Sequence, residues 1–138
     1  MRKSILMVLA GMLLLACTTR TNGSATTDTA SDRTEVVYFH GKQRCATCRA
    51  IEQLAREVVE KDYAAQVADG TLALRVVDIS QPENAALAER YEVTWSSLFV
   101  VDKKGCAVNL TDMAFGNARS NPDQFRKELH GAIDKSLR

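Results

Sequence analysis

The order of apolar runs and helical stripes predicts an α/β fold, β-α-β-α-β-β-α, built on a mixed central sheet. Three observations predict it. Residues 35–40 and 72–79 are short apolar runs rich in β-branched side chains, separated by a long amphipathic segment, so they read as buried strands joined by a crossover. Residues 98–102 and 106–110 are two more such runs, joined only by Lys103-Lys104-Gly105. A connection that short makes only an antiparallel hairpin. A helix start at Asn121-Pro122-Asp123-Gln124 then closes the chain.

Each element has its own signal. Val36, Val37, Tyr38 and Phe39 make a short apolar run with β-branched and aromatic residues, which reads as a buried strand. After a polar loop come Cys45-Ala46-Thr47-Cys48 and a stripe of Ile51, Leu54, Ala55, Val58 and Val59, with Glu52, Arg56, Glu57 and Lys61 on the other side. The second strand, LALRVVDI, is followed by Ser80-Gln81-Pro82-Glu83, which predicts a capped helix start running on to Arg90. Phe125, Leu129, Ala132 and Ile133 give the last helix its buried face. About 105 residues in this order bury one core.

The chain has 138 residues, 46% of them hydrophobic, which suits one folded domain with an extension and excludes wholesale disorder. A net charge of +1, with basic residues scattered along the chain, gives no reason to expect nucleic acid. Four cysteines are too few for a disulfide-stapled miniprotein.

The first residues read as a targeting segment. Arg2 and Lys3 precede an apolar run of roughly a dozen residues, right for a signal h-region and short for a bilayer span. It ends Leu14-Leu15-Ala16-Cys17, which resembles the lipobox of bacterial lipoproteins. That resemblance implies cleavage after residue 16, a lipid on Cys17, and a location in the bacterial cell envelope with the domain facing the periplasm or the exterior. Residues 18–33 carry Thr, Ser, Ala and Asp but no large apolar side chain, and read as a flexible tether. Removing Arg2 and Lys3 takes two from the 18 basic residues against 17 acidic ones. The remainder is close to neutral, so attachment to a membrane would come from lipid. The expected organisation is a signal peptide over 1–16, a lipidated cysteine and tether over 17–33, and a folded domain over 34–138.

Cys45 and Cys48 are expected where the chain leaves the first strand and enters its helix. There a thiolate meets unsatisfied backbone N–H groups and the positive end of the helix dipole, with Lys42, Arg44 and Arg49 adding charge nearby. Three readings follow. In redox chemistry, Cys45 attacks a partner disulfide and Cys48, more buried, resolves the mixed disulfide. In metal or metalloid binding, the pair supplies two of the usual four zinc ligands. An inert bridge closes too small a loop to contribute much chain entropy. The strand-before, helix-after context favours redox chemistry.

With these residues in view, residues 34–137 resemble the thioredoxin fold, through the cysteine pair, the run from Leu74 to Ser80, then Ala88 to Val93, and Leu98 to Gly105. More narrowly, Tyr38-Phe39-His40-Gly41 followed by Arg44-Cys45-Ala46-Thr47-Cys48 resembles a small thioredoxin-like family known as nitrophenyl compound nitroreductase subunits, associated with arsenic-resistance gene clusters and membrane permeases. The resemblance implies a thiol-disulfide oxidoreductase or electron relay with no cofactor beyond the cysteine pair. It implies as partner a protein bearing a disulfide or dithiol, such as a membrane thiol-electron carrier or permease. The alternative is an accessory subunit whose dithiol binds metal or arsenic. A nitroreductase role would be that of an accessory subunit, because no phosphate-cradling glycine motif is present.

Three positions depart from the thioredoxin pattern. Arg44 stands where thioredoxins keep a Trp, and Tyr38 where they keep a buried acid. Ser97 stands where they have a cis-proline, and a non-proline cis bond costs roughly 2.5–4 kcal/mol. Arg44 is expected to stabilise the thiolate, and Ser97 to leave the dithiol more open to soft metals or trivalent arsenic. His40 is either a proton relay or a strand-end residue bonded to a loop. Cys106 is either a small buried hydrophobe or a third redox or metal ligand. Trp95 lines a groove or packs beneath it, and His130, off the apolar stripe, is expected to be exposed.

Overall fold

The computed structural model describes residues 31–138. The signal segment, Cys17 and most of the tether lie outside the described residues. The chain folds as β1 (Thr34–His40), α1 (Ala46–Glu57), a π-helical turn (Val58–Asp62), α2 (Ala64–Ala68), β2 (Leu72–Asp78), a 3-10 turn (Pro82–Asn84), α3 (Ala85–Arg90), β3 (Ser97–Val101), β4 (Ala107–Asn109), α4 (Thr111–Asn117) and α5 (Pro122–Ser136).

The four strands form one sheet in the order β2-β1-β3-β4. β2 runs parallel to β1, with His40 opposite Asp78, and β3 runs antiparallel to β1, with Phe39 opposite Ser97. β4 closes the hairpin against β3. A parallel β-α-β unit followed by an antiparallel hairpin and a helix is the thioredoxin-like architecture, and the mixed sheet expected from the sequence is present.

Strand alternation divides the core in two. Val36 and Tyr38 of β1 with Leu98 and Val100 of β3 face a layer made by α1, α4 and α5, where Ile51, Leu54, Phe125, Leu129 and Ile133 pack. Val37, Phe39, Phe99 and Val101 face the opposite way, onto Leu87, Ala88 and Val93 from α3 and the segment after it. β1 is thus covered on both faces, as its unbroken apolar run demands.

The structure corrects several local expectations. Ser80 does not cap α3: its hydroxyl donates to the Asp78 carboxylate at 2.7 Å, and the helix is entered through a 3-10 turn led by Pro82. The strand expected over 106–110 shortens to three exposed residues, because it lies at the sheet edge with only one neighbour. α4 is an addition. Its residues include Gly116, its N-cap Leu110 makes no side-chain capping bond, and only Thr111 and Ala114 are buried, so no amphipathic stripe announces it.

Candidate active site

The site sits where β1 ends and α1 begins. Cys45 is the N-cap of α1, with extended backbone (φ −71°, ψ 168°), and its Sγ accepts the backbone N–H of Cys48 at 3.1 Å. The sulfur therefore takes the place of the Ser, Thr or Asp oxygen that ordinarily satisfies a first-turn N–H. Helix geometry places the next cysteine one turn on and facing inward: Cys45 is exposed and Cys48 is 6% exposed. Both thiols are free.

Beneath the pair lies a small polar corner. The Tyr38 hydroxyl, fully buried, donates to the Cys48 carbonyl at 2.8 Å, and the Ser96 hydroxyl stands 3.6 Å from Cys48 Sγ. Burial pushes the Tyr38 phenol up to about 12, reinforced by the neighbouring Cys48 sulfur. Tyr38 thus stays protonated and acts as a donor. Burial works against a charge on Cys48, yet hydrogen bonds from Cys45, Ser96 and the backbone outweigh it and hold the thiol below its ordinary value.

The surrounding residues fall into place around this corner. Arg44 is paired with Glu52 on α1, and its carbonyl accepts from the Arg49 guanidinium at 2.6 Å, which ties down the loop before Cys45. Its charge is also felt at Tyr38. Glu52 in turn holds Arg56 at 3.0 Å. The Arg44 guanidinium is thus bound to a carboxylate, while its carbonyl anchors the loop before Cys45. Ser97 is buried at the first position of β3, and its hydroxyl donates to the Trp95 carbonyl at 3.1 Å. The residue touching the inner sulfur is its neighbour Ser96. The described peptide bonds are all trans.

His40 ends β1 with Nδ1 3.0 Å from the Gly41 carbonyl oxygen, the strand-end arrangement bonded to its own loop. Trp95 is 54% exposed and its ring lies 5.1 Å from that of Phe115 on α4. With Tyr91, Ser97 and Met113 it lines a cavity of about 360 Å³ at the same end of the sheet as the cysteines. Cys106 is exposed beside the residue paired with Val101, a strand's length (roughly 20 Å) from the cysteine pair. That overturns both expectations for it, as a buried hydrophobe and as a third ligand. His130 is likewise engaged, with Nδ1 3.0 Å from the Tyr63 hydroxyl and Nε2 2.9 Å from the Asp62 carboxylate. Among the described residues no group of three or more His, Cys, Asp or Glu is arranged to hold a metal ion. No helix among them is long and apolar enough to cross a membrane.

Sequence reasoning missed Ser96, because adjacent serines cannot be told apart until a strand begins. It missed Glu52 as the partner of Arg44, eight residues away across the loop-to-helix junction.

The fold is thioredoxin-like, with a C-x-x-C pair at the start of its first helix. Comparison with solved structures finds the following similarities. A malarial protein is similar at 19% identity and a TM-score of 0.50, covering 77% of this chain and 99% of its own. A thioredoxin from Fasciola hepatica is 23% identical, with a TM-score of 0.46 over 78% of this chain and 84% of its own. A thioredoxin from Thermus thermophilus is 22% identical, with a TM-score of 0.42 over 75% of this chain and 76% of its own. At such identities the likeness concerns the fold alone. No family model and no curated protein matches the chain.

Proposed function

We propose that the chain is a thiol-disulfide oxidoreductase or electron relay, tethered to the bacterial cell envelope through Cys17, that works through Cys45 and Cys48 on a protein partner bearing a disulfide or dithiol. The observation that carries this reading is the pairing of an exposed Cys45 sulfur, seated at a helix N-cap, with a buried Cys48 one turn on.

In the first step the Cys45 thiolate attacks one sulfur of the partner disulfide, and the other leaves as a thiolate that takes up a proton. The mixed disulfide so formed is open to Cys48, which loses its proton and attacks Cys45 Sγ. The Cys45–Cys48 bond forms, and the second partner sulfur leaves with the electron pair. Two electrons have passed to the partner. A membrane thiol-electron carrier or permease, the partner suggested by the narrower sequence resemblance, would reset the pair. The link to nitro compounds and arsenic belongs to that resemblance.

The test is equilibration of the full chain in glutathione redox buffers, with free thiols trapped and counted by mass. A reversible two-electron transition confined to Cys45 and Cys48, abolished by Cys48→Ser, is expected, and the chain is expected in the membrane fraction of its host. A pair that stays reduced at every poise, while retaining arsenite or zinc, would replace the oxidoreductase with a dithiol binding subunit.

A further inference from the structure

We propose that the Ser96 hydroxyl is the hydrogen-bond donor that holds the Cys48 sulfur as the inner thiol loses its proton, and so sets the rate at which the mixed disulfide is resolved. This rests on the thiol-disulfide reading and concerns its second step.

Ser96, Tyr38 and Cys48 are all buried, at 8%, 0% and 6% exposure. The Ser96 hydroxyl donates to Cys48 Sγ at 3.6 Å. Tyr38 spends its one proton on the Cys48 carbonyl at 2.8 Å. A serine hydroxyl has one proton and two lone pairs. Once Cys48 is a thiolate, the Ser96 O–H donates to a charged sulfur. A charge-assisted bond replaces a neutral one.

Tyr38 cannot take the proton from Cys48, because burial keeps its phenol protonated up to about 12. The titratable or charged groups acting on this corner are Tyr38 from β1, Cys45 at the start of α1, and Arg44 just before it. Solvent reached past the exposed Cys45 is the acceptor for the Cys48 proton. The thiolate electron pair then forms the bond to Cys45 Sγ, the bond from Cys45 to the partner sulfur breaks, and that sulfur departs with the electrons.

The experiment uses Ellman's reagent, 5,5′-dithiobis(2-nitrobenzoic acid), as the disulfide, with the reduced full chain carrying Cys17→Ser and Cys106→Ser so that only the two site thiols react. Attack by Cys45 releases one coloured thiolate, and resolution by Cys48 releases a second in a distinct, slower phase. Ser96→Ala is expected to slow the second phase about tenfold near neutral pH and to move its pH midpoint upward, leaving the first phase unchanged. Ser96→Thr, which keeps the hydroxyl, restores the second phase. A second phase in Ser96→Ala with the original rate and midpoint overturns the inference. So does a loss in Ser96→Ala that Ser96→Thr fails to restore. Absence of a second phase in the parent chain would instead overturn the thiol-disulfide reading itself.

Discussion

At the scale of the residue, the proposed chemistry rests on a sulfur in a capping position. Cys45 Sγ satisfies a backbone N–H that would otherwise be unpaired, so a negative charge on that sulfur strengthens a bond already present. Its partner lies one helical turn deeper, and in the proposed function this difference in exposure divides the roles of attack and resolution. Glu92 shows the opposite relation between residue and backbone. It is the only described non-glycine residue with positive φ, 54°, and it follows α3 where the chain turns back, with Val93 N–H donating to the Ala88 carbonyl at 2.8 Å. Glycine adopts that conformation without its Cβ meeting a carbonyl oxygen. Glu92→Gly is expected to raise the free energy of unfolding by about 0.5–1 kcal/mol, the relief of Cβ strain exceeding the added freedom of the unfolded chain. Urea denaturation checks this, and a loss of stability would show that the exposed carboxylate has a stabilising role.

At the scale of the element, contacts that no local pattern announces hold the helices to each other. Tyr63, at the end of the π-helical turn, is 6% exposed. Its hydroxyl donates to the Asp134 carboxylate at 2.7 Å, and His130 Nδ1 lies 3.0 Å from that hydroxyl. These bonds join the end of the first helical segment to α5 across 71 residues of sequence. Burial and the neighbouring Asp134 raise the Tyr63 phenol well beyond its ordinary range, so it remains a donor at any pH the fold survives. Tyr63→Phe keeps the ring and removes the bonds, at an expected cost of about 1 kcal/mol, because Asp134 is exposed and rehydrates. An unchanged urea midpoint would mean that α5 is held by its apolar face alone. α1 and α5 were readable from their apolar spacing, and β1 from its unbroken apolar run. α4 was not, because two small buried residues and a glycine make no period, and its place is decided by the sheet face it covers.

At the scale of the whole molecule, acid and alkali act on different groups. Asp69 is held below the usual carboxylate range by the Thr71 hydroxyl and amide, Asp78 by those of Ser80, Asp102 by the Cys106 and Lys104 amides, and Glu57 by Arg126. Each of these lowered groups contributes stability that is present above its unfolded value and lost as pH falls through the folded one. Tyr38 is raised to about 12 from its ordinary 10.0. Its contribution is present below the unfolded value and lost as pH rises between the two. Thermal unfolding midpoints of the reduced chain are therefore expected to decline from about pH 4 downward and again above about pH 10. Tyr38→Phe should remove part of the alkaline decline. A Tyr38→Phe chain as sensitive to alkali as the parent would place the alkaline transition elsewhere.

The order of strands and helices and the placing of a C-x-x-C pair at the first helix start followed from the sequence by itself, because both depend on local periodicity and on which side chains tolerate which backbone. Tertiary structure decided which of two adjacent serines meets the inner sulfur, since that depends on where β3 pairs with β1. It also decided that Arg44 spends its charge on Glu52, that Tyr38 donates where a related fold has an acid, and that Cys106 stands at the far end of the sheet. These are contacts between residues distant along the chain, and a single side chain carries no sign of the neighbour that sheet register and helix packing will bring to it.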